Sequence, residues 1–449
     1  MRILLPLLLL ACSRVQAATE TQPGLPAATI DKPLPLLNVR QPNRIPERIP
    51  LNKTFLQALQ QARPGQAVEL PGLVEEKQAR PLAFKPMALY AHGARVRIIE
   101  NGKTRERAPT RRFFLAVNGR KAATLALAQD GALTGTLMDQ DRLYQLKRNG
   151  DWLDITAVDL NDPRLEKQCE TGNSMRVPPI GQTMANLKPR LSFNLAKTAH
   201  PNYSTVIAVD TDTEFLNDKF SNDISGAQTW IEDTFAAMNV FYVRDLSLNL
   251  QLGDVILRVG SDPYTNDGTA DGQLADDLTA FGNYWMNNMA AIDRDFAMMF
   301  SGKVASTSYS GVGWVDSYCE NGYLCNGGTN VCGSYSFSAI GSNNLITPAW
   351  ASTLIGHELG HNLGSVHTHC YNPPLDNCNN SEPGCYSGTE QCPASGAGTI
   401  MSYCHLLTGC ASNAEFHPGV IALLNGRISA NYPACIDAFS DTLFGDGFE

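Results

Sequence analysis

Beyond its first residues, the sequence lacks any run of about 18 consecutive apolar residues, the length that a membrane-spanning helix requires. It also lacks an internal repeat, which argues against a repeat architecture. Basic residues are scarce in the second half: residues 201–449 contain 6 Lys+Arg against 27 Asp+Glu, a net charge of −21. The missing apolar run predicts a soluble mature chain without a transmembrane segment.

The first half has the opposite charge. Residues 18–200 contain 27 Lys+Arg and 17 Asp+Glu, a net charge of +10. A basic half can serve as a nucleic-acid arm, but these basic residues are dispersed among strand-like stretches instead of clustered. Opposite fields attract two parts of one chain. We therefore predict that the first half docks on the second and that nucleic acid is not a partner.

Cysteine is rare before residue 319. The upstream sequence holds only Cys12 and Cys169, whereas ten cysteines lie between Cys319 and Cys435. A dense, even set is typical of a disulfide framework in an exported protein, although spacing does not reveal the connectivity. We predict five disulfides in this segment and a lone thiol at Cys169. The alternative is that Cys169 pairs within the ten and leaves a different odd thiol.

The N-terminus predicts export. Residues 1–17, MRILLPLLLLACSRVQA, place an arginine before a short leucine run and end in the small-residue pattern of a secretory signal peptide. We therefore expect a secreted protein, extracellular or periplasmic. The alternative is a weak lipobox in which Cys12 is lipidated and anchors a lipoprotein.

Composition divides the rest of the chain. Residues 18–200 contain short strand-like runs and an Asn-Gly pair at 118–119, which predict a β-rich module with a hairpin. Residues 178–200 carry Pro, Gly and basic residues with little periodicity, typical of a linker that proteases cut. Residues 201–437 alternate strand and helix patterns, which favours an α/β or α+β layered domain. Residues 438–449 form an acidic tail.

Apolar patterns predict the main elements of the second half. A buried strand begins at Val206, and apolar residues at helical spacing predict a helix through Ala227 and Met238. A further helix is predicted over residues 274–300. A Gly-rich stretch at 311–315 has the composition of an edge strand.

One short helix is predicted around a cluster of histidines. Four of the 8 histidines lie within residues 357–369. Thr347 followed by proline predicts the N-cap and first position of this helix. Gly364 predicts its end, because glycine readily adopts the left-handed conformation found there.

The histidine spacing predicts a catalytic zinc site. His357 and His361 lie four residues apart on one helix face, so both imidazoles reach one ion, and the turn after the helix lets His367 approach as a third ligand. Three neutral nitrogens leave one tetrahedral position for water, as in catalytic zinc sites. Glu358 is placed to act on that water without binding the metal. The alternative is a set of solvated or core histidines, which this combined spacing disfavours.

The stretch HELGHNLGSVH matches the extended zinc-binding motif of the metzincin metalloproteases, and residues 398–403 resemble their Met-turn. Over residues 201–437 the chain is most similar to the reprolysin (adamalysin) type. The resemblance implies a metzincin-like catalytic domain with a twisted, mostly parallel sheet, two long helices and a small disulfide-rich C-terminal subdomain. Its cleft would bind an extended protein or peptide substrate. Met401 is implied as an apolar floor of the site.

Two positions depart from the reprolysin pattern. Thr368 follows the third histidine, where adamalysins usually carry Asp. Tyr403 stands two residues after Met401, an arrangement similar to astacins and serralysins, whose tyrosine binds zinc or steadies the oxyanion. We list Tyr403 as a candidate catalytic residue, with a packed core tyrosine as the alternative. His369 is a surplus histidine that the motif spacing does not favour as a ligand.

Several acidic residues of the second half are candidate calcium ligands. The acidic stretch DPYTNDGTADGQLADD offers many oxygen ligands but lacks the EF-hand register, and a solvated loop is the alternative. Asp295 and Asp437 fall near positions that resemble the reprolysin calcium site. Thr205 and Ala438 stand where further ligands would be expected.

The lone Cys169 precedes the predicted linker. A thiolate at the fourth position of the zinc would displace the nucleophilic water, so the enzyme would be exported inactive and activated by cleavage of the linker. Metzincin propeptides resemble this arrangement, although the flanking sequence QCETG does not match the matrixin motif. We therefore predict that Cys169 is a metal ligand of the precursor and that residues 18–200 are a propeptide acting as an intramolecular inhibitor.

Together these features predict a secreted zinc metalloendopeptidase made as a zymogen, with Zn²⁺ held by the three histidines and Glu358 as general base. One alternative is a secreted, disulfide-rich binding or adhesion module that keeps zinc as a structural staple. Another is a zinc amidase that acts on a substrate other than ordinary protein.

Overall fold

The computed structural model describes residues 47–70, 82–162, 165, 169, 202–264, 274–303, 310–325, 328 and 330–439. The predicted signal peptide, Cys12, the whole predicted linker (residues 178–200) and residues 440–449 of the tail lie outside the described residues. These described residues all belong to one unit of the chain, Ile45–Glu449.

The N-terminal half is built mainly of antiparallel strands. Its described residues contain β1 (Arg48–Pro50), α1 (Lys53–Gln61), β2 (Val68–Leu70), β3 (Leu82–Met87), β4 (Val96–Glu100), β5 (Lys103–Arg107), β6 (Arg112–Asn118), β7 (Lys121–Leu127), β8 (Leu133–Asp139), β9 (Arg142–Asn149) and β10 (Trp152–Ala157).

Eight of these strands form one sheet in the order β1-β10-β9-β8-β7-β6-β3-β2, in which every neighbouring pair is antiparallel. The hairpin predicted from the Asn-Gly pair is present between β6 and β7, where Asn118 pairs with Lys121. Gly119 adopts a φ of 64° in its turn, a conformation that favours glycine.

The C-terminal half alternates strands and helices. Its described residues contain β11 (Tyr203–Thr211), a π-helical turn (Phe215–Lys219), α2 (Ile224–Leu246), β12 (Leu248–Val259), α3 (Leu274–Asn288), β13 (Phe296–Ser301), β14 (Gly311–Gly313), β15 (Tyr323–Cys325), β16 (Asn330–Cys332), β17 (Tyr335–Ala339), α4 (Pro348–Asn362), two 3-10 turns (Thr368–Cys370 and Cys404–Leu406), β18 (Ala397–Gly398), β19 (Ala411–Ser412), α5 (Pro418–Asn431) and β20 (Asp437–Ala438).

The second large sheet has the order β14-β17-β13-β11-β12-β4-β5. The four inner pairs, from β17 to β4, are parallel, whereas the pairs at both ends, β14 with β17 and β4 with β5, are antiparallel. Most strand pairs of the described chain are antiparallel. The expected mostly parallel sheet therefore describes only the interior of this second sheet.

Strands β4 and β5 come from the N-terminal half but extend the sheet of the C-terminal half, which the sequence did not predict. β4 lies parallel to β12, and its residues Val96 and Ile98 are buried in the shared core. Alternation in sequence indicates which side chains of a strand are buried. It does not indicate which strand lies next to it, because that pairing depends on contacts distant in sequence.

The predicted helix through Ala227 and Met238 is present as α2, with Asp223 as its N-cap. The helix predicted over residues 274–300 is wrong beyond Asn288, because the apolar run Phe296–Ser301 is the strand β13. All six residues of β13 are buried. A central parallel strand is apolar on both faces, and periodicity alone does not distinguish such a run from a buried helix.

One hydrophobic core joins the two halves. Met87 and Phe113 of the N-terminal half belong to the same buried cluster as Leu252 of β12 and Phe235 of α2. A second cluster lies within the first sheet and under α1. The predicted docking of the first half on the second therefore corresponds to a continuous apolar interface.

A charged group at this interface fits the predicted contrast in charge. Arg111 is buried and lies 3.2 Å from Glu232 and 2.8 Å from Asp233, both on α2. Tyr90 donates a hydrogen bond of 2.9 Å to Glu232, and Thr134 donates one of 2.9 Å to Asp233. The buried carboxylates thus have both an ion-pair partner and hydrogen-bond donors from the N-terminal half.

Ten cysteines form five disulfides in the C-terminal segment, as predicted, and Cys169 lies outside them. The pairs are Cys319–Cys435, Cys325–Cys332, Cys370–Cys385, Cys378–Cys404 and Cys392–Cys410. Within the part of the chain that the structure describes, no helix combines the length and the apolar character that a membrane span needs.

Candidate metal centre

Helix α4 carries the first two histidines and is bounded as its sequence predicts. The Thr347 side chain accepts a hydrogen bond from the Trp350 N–H at the N-terminus, where Pro348 is the first residue. At the C-terminus Gly364 has a φ of 109°, and its N–H donates to the carbonyl of His361. This left-handed glycine reverses the chain directly after the helix.

The reversed chain brings His367 to the same point as His357 and His361. The Nε2 atom of His357 lies 3.1 Å from that of His361 and 3.2 Å from that of His367. Nitrogen ligands of a tetrahedral zinc ion at about 2.0 Å are separated by about 3.3 Å, so the three atoms have a spacing that fits zinc.

The opposite nitrogen of each ring has an acceptor. Nδ1 of His357 lies 2.6 Å from the Ile400 carbonyl, and Nδ1 of His361 lies 2.7 Å from the Ser365 carbonyl. A carbonyl accepts only from a protonated Nδ1, so Nε2 of both rings presents its lone pair to the shared point. Converging lone pairs in a buried site suit a cation, and the donor set therefore fits zinc.

The protonation state of the rings agrees with this assignment. Burial lowers the pKa of His361 to about 3, and the neighbouring His367 lowers it further. Burial also lowers the pKa of His367 to about 4, against hydrogen bonding to Glu382, which raises it. Neutral imidazoles are the form that binds a metal.

Glu358 lies beside this group and is fully buried. Burial raises its pKa to about 8, although a hydrogen bond from Cys169 lowers it. Its Oε2 atom is 3.1 Å from the Cys169 Sγ, and its Oε1 atom has no hydrogen-bond partner. A Cβ atom on Gly311 of β14 would lie 2.1 Å from Oε1, so glycine at this position makes room for the carboxylate.

Cys169 reaches the site from the N-terminal half. Its Sγ atom and one ring nitrogen of each of His357, His361 and His367 all lie within 4.8 Å of one another. The backbone of Cys169 forms a parallel bridge with Gly311, the first residue of the edge strand β14. The three predicted histidine ligands and the predicted cysteine are therefore brought together at one buried point.

Comparison with known proteins identifies this domain. Residues 201–414 match the model of the Reprolysin_5 family, described as metallo-peptidase family M12. The chain carries an M12 metallopeptidase domain. It is accordingly a zinc metalloendopeptidase, and this match does not favour the alternative of a binding module with a structural zinc. The match ends before residue 437, the limit expected from the resemblance.

One solved structure with a similar trace is described as the crystal structure of metalloproteinase-II from Bacteroides fragilis. The two chains share 12% sequence identity with a TM-score of 0.37, over 79% of this chain and 89% of that one. No curated protein matches the chain in sequence. At this TM-score the likeness is loose, and the fold of the metallopeptidase domain rests on the topology given above.

Met401 of the predicted Met-turn packs against α4, the helix that carries the first two histidines. Met401 is buried, and a Cβ atom on Gly360 of α4 would lie 2.5 Å from its sulfur, so the two residues are closely packed. Thr368 donates its N–H to the Met401 carbonyl at 2.9 Å and its hydroxyl at 3.2 Å. In this chain Thr368 therefore connects the segment of the third histidine to the Met-turn.

Tyr403 lies at the site but contacts the N-terminal half. Its hydroxyl donates a short hydrogen bond to the Cys169 carbonyl and accepts one of 3.2 Å from the Cys169 N–H. Its ring stacks at 6.4 Å from that of His357. Burial raises the pKa of Tyr403 well above its ordinary value, so the phenol is neutral.

His369 and Glu382 lie beside the three-histidine group and contact each other. His369 is turned away from the three-histidine group, and its Nε2 lies 2.9 Å from Glu382. Glu382 also lies 2.7 Å from Nδ1 of His367. The sequence contained no signal for Glu382, because it lies 15 residues after His367 in a Cys-rich segment without helical or strand periodicity.

The calcium candidates have other partners. Asp295 accepts hydrogen bonds of 2.8 Å from the Thr205 hydroxyl and the Val206 N–H through the same oxygen. Burial raises the pKa of Asp295 to about 6. Asp437 is exposed in β20, where it pairs with Ser204. The acidic stretch lies in large part outside the described residues, and calcium binding stays a prediction.

Proposed function

We propose that this protein is a secreted zinc endopeptidase, made as a zymogen, in which His357, His361 and His367 hold one zinc ion and Glu358 is the general base. The observation that carries the proposal is the convergence of three buried Nε2 atoms at 3.1 and 3.2 Å. The M12 match over residues 201–414 supports the same activity.

Zinc, when bound, supplies a Lewis acid that lowers the pKa of water and polarises a carbonyl group. Glu358 then accepts the proton of the attacking water and delivers it to the nitrogen of the leaving amine. The free Oε1 atom is the acceptor available for this step.

Tyr403 is proposed to assist after the N-terminal half has left. In the intact chain its hydroxyl contacts the backbone of Cys169. The same neutral hydroxyl can donate to the carbonyl oxygen of a peptide that takes the place of the Cys169 segment. Such a donor stabilises the negative charge that develops on this oxygen during hydrolysis.

Residues 18–200 are proposed to act as an inhibitory propeptide. Cys169 supports this because its thiol lies against Glu358 and its backbone bridges the edge strand β14 at Gly311. Peptide substrates commonly bind such an edge by adding a strand. The Cys169 segment thus blocks both the fourth metal position and the substrate edge. Cleavage in residues 178–200 is the proposed activating step, and these residues lie outside the described part of the chain.

Export is proposed from the signal-like residues 1–17 and from the five disulfides, which persist in oxidising compartments. Lipid anchoring through Cys12 is the alternative. Mass spectrometry of the exported protein separates these possibilities, because a lipid on Cys12 and cleavage near residue 17 give different N-terminal masses.

The activity is tested on protein cleaved in the linker and freed of residues 18–200. We expect this protein to contain one zinc per chain, to digest casein or gelatin, and to be blocked by a zinc-binding hydroxamate. Digestion without bound metal would contradict the zinc mechanism. Zinc binding without digestion of any protein or peptide would contradict the endopeptidase assignment. It would favour the alternative of a zinc amidase that acts on a substrate other than ordinary protein.

A further inference from the structure

Glu382 lies outside the zinc-binding motif but returns to the metal centre through a disulfide. The bond between Cys370 and Cys385, which are 15 residues apart, closes the loop that carries Glu382. Two backbone hydrogen bonds hold the same loop: Cys385 N–H donates to the Glu382 carbonyl at 3.2 Å, and Tyr386 N–H donates to the His369 carbonyl at 3.0 Å.

The Glu382 carboxylate bridges two histidines through one oxygen. Oε2 lies 2.7 Å from Nδ1 of His367 and 2.9 Å from Nε2 of His369. Both imidazoles have 0% side-chain exposure, and the Glu382 side chain has 16%.

This contact distinguishes the third histidine from the other two. Nδ1 of His357 and of His361 each lie against a backbone carbonyl, whereas Nδ1 of His367 lies against the carboxyl side chain of Glu382. Among the described residues, Glu382 is thus the one carboxylate bound to the outer nitrogen of a predicted ligand. A carboxylate in this position fixes the ring tautomer and increases the basicity of the metal-binding nitrogen.

We propose that Glu382 is a positioning residue that orients His367 for zinc, and that His369 holds Glu382 in place instead of binding the metal. This inference rests on the proposed zinc site. Because Glu382 accepts a hydrogen bond from the Nδ1–H of His367, the Nε2 lone pair of His367 is directed at the shared point of the three rings. The rings of His367 and His369 are stacked at 5.4 Å with an interplanar angle of 15°, so one carboxylate oxygen reaches both.

The test is the zinc affinity of the full-length chain, measured by competition with a chelator of known affinity. The Glu382→Gln variant keeps the shape of the side chain but removes its charge. We expect its zinc affinity to fall by about 10- to 100-fold, the range found when a carboxylate that orients a ligand is replaced. The matched control is Glu390→Gln, an exposed glutamate of the same segment that accepts a hydrogen bond from the Asn380 N–H.

A second variant isolates the bridge. His369→Phe keeps a ring of similar size and removes the donor to Glu382. The Nδ1 atom of His369 has no hydrogen-bond partner, so this change deletes only the bond to the carboxylate. We expect a fall in zinc affinity of a few-fold, smaller than that of Glu382→Gln, because Glu382 keeps its direct contact with His367.

Cobalt(II) in place of zinc gives a readout that general destabilisation does not move. The visible absorption bands of the bound cobalt should change in Glu382→Gln and stay unchanged in Glu390→Gln. Only the first variant changes the hydrogen bond of a metal-binding histidine, His367. Glu382→Gln and His369→Phe variants that bind zinc as tightly as the parent chain, with parental cobalt spectra, would overturn the inference. A parent chain that binds no zinc would overturn the proposed function itself.

Discussion

The two edges of the C-terminal sheet meet the N-terminal half in different ways. At the far edge, β4 pairs with β12 along five residues and buries Val96 and Ile98 in the core shared by the halves. At the cleft edge, the described residues include one backbone bridge to β14, from Cys169 to Gly311. Burial of each apolar side chain contributes about 1.5–3 kcal/mol, so most of the binding energy belongs to the far edge and its core.

We infer from this contrast that docking and the proposed inhibition are separate properties of the N-terminal half. The shared core and the ion pairs of Arg111 hold the half in place, while the Cys169 segment covers the reacting groups. A change in the shared core or at Arg111 should therefore leave the proposed inhibition intact, and a change at Cys169 should leave docking intact. The predictions below test this separation.

The largest effect is expected from Glu358→Gln, which removes the proposed proton acceptor at the cleft edge. The kcat of the processed enzyme should fall by about 10²- to 10⁴-fold, the contribution of general acid–base catalysis. Bound zinc, measured by elemental analysis, and co-purification of the N-terminal half with the rest should stay as in the parent. Retained proteolysis in a zinc-loaded variant would remove Glu358 from the mechanism.

Arg111→Ala tests the buried ion pairs that join the N-terminal half to α2. It leaves the carboxylates of Glu232 and Asp233 buried without their cation, which should cost about 3–5 kcal/mol in the free energy of unfolding of the intact chain. The matched control is Arg120→Ala, which breaks the more exposed pair between Arg120 and Glu415 and should cost less than about 1 kcal/mol. Denaturant titration of both variants compares them, and equal losses would contradict the assignment of docking energy to the buried group.

The cost of Arg111→Ala should depend on pH. Burial raises the pKa of Glu232 and of Asp233, and Arg111 opposes this shift in both. Without Arg111 the folded state binds protons more strongly than the unfolded state, whose carboxyl pKa values are about 4. Stability then falls as the pH rises above about 4, so the loss should be larger at pH 8 than at pH 5. A loss that shrinks with rising pH would contradict this sign.

Cys169→Ser tests the proposed inhibitory contact at the cleft edge. The uncleaved variant should hydrolyse a small peptide substrate at least about tenfold faster than the uncleaved parent, which corresponds to about 1.4 kcal/mol. Its free energy of unfolding should change little, because the shared core is untouched. A variant precursor as silent as the parent would show that the thiol is not the inhibitory group.

Tyr403→Phe should have the smallest effect among the changes at the cleft. It removes one hydrogen-bond donor and keeps the ring stacked near His357. We expect kcat of the processed enzyme to fall by about tenfold with KM nearly unchanged, because the donor acts on charge that develops only in the transition state. Unchanged turnover would leave Tyr403 as a packed core residue.

Local features of the fold were predictable where their cause is local. The caps of α4 depend on Thr347 and Gly364, and the hairpin turn at Gly119 depends on a glycine conformation. The number of disulfides followed from the parity of the cysteines, but their pairing did not. The helix predicted through Phe300 was wrong because a buried strand and a buried helix have the same apolar composition.

The candidate site also contains residues that local spacing predicts and residues that it does not. His357 and His361 lie four residues apart on one helix, and the left-handed turn at Gly364 accounts for the return of His367, so the spacing alone predicts three rings near one point. Glu382 gave no such signal, and Gly311 was predicted only as part of an edge strand, without its contact to Glu358. They reach the site through a disulfide loop and through an edge strand, whose positions are set by contacts far apart in sequence.

The amino-acid sequence by itself determined the chemistry that this protein can perform, because the residue types and the helical spacing of the zinc-binding motif act over a few residues. Only the tertiary structure decided how that chemistry is supported and covered. It placed β4 beside β12, Cys169 against Glu358, and Glu382 behind His367. Each of these contacts joins segments that are far apart in sequence. Burial in a shared core holds β4 beside β12, a backbone bridge holds Cys169 at the site, and a disulfide loop holds Glu382 behind His367.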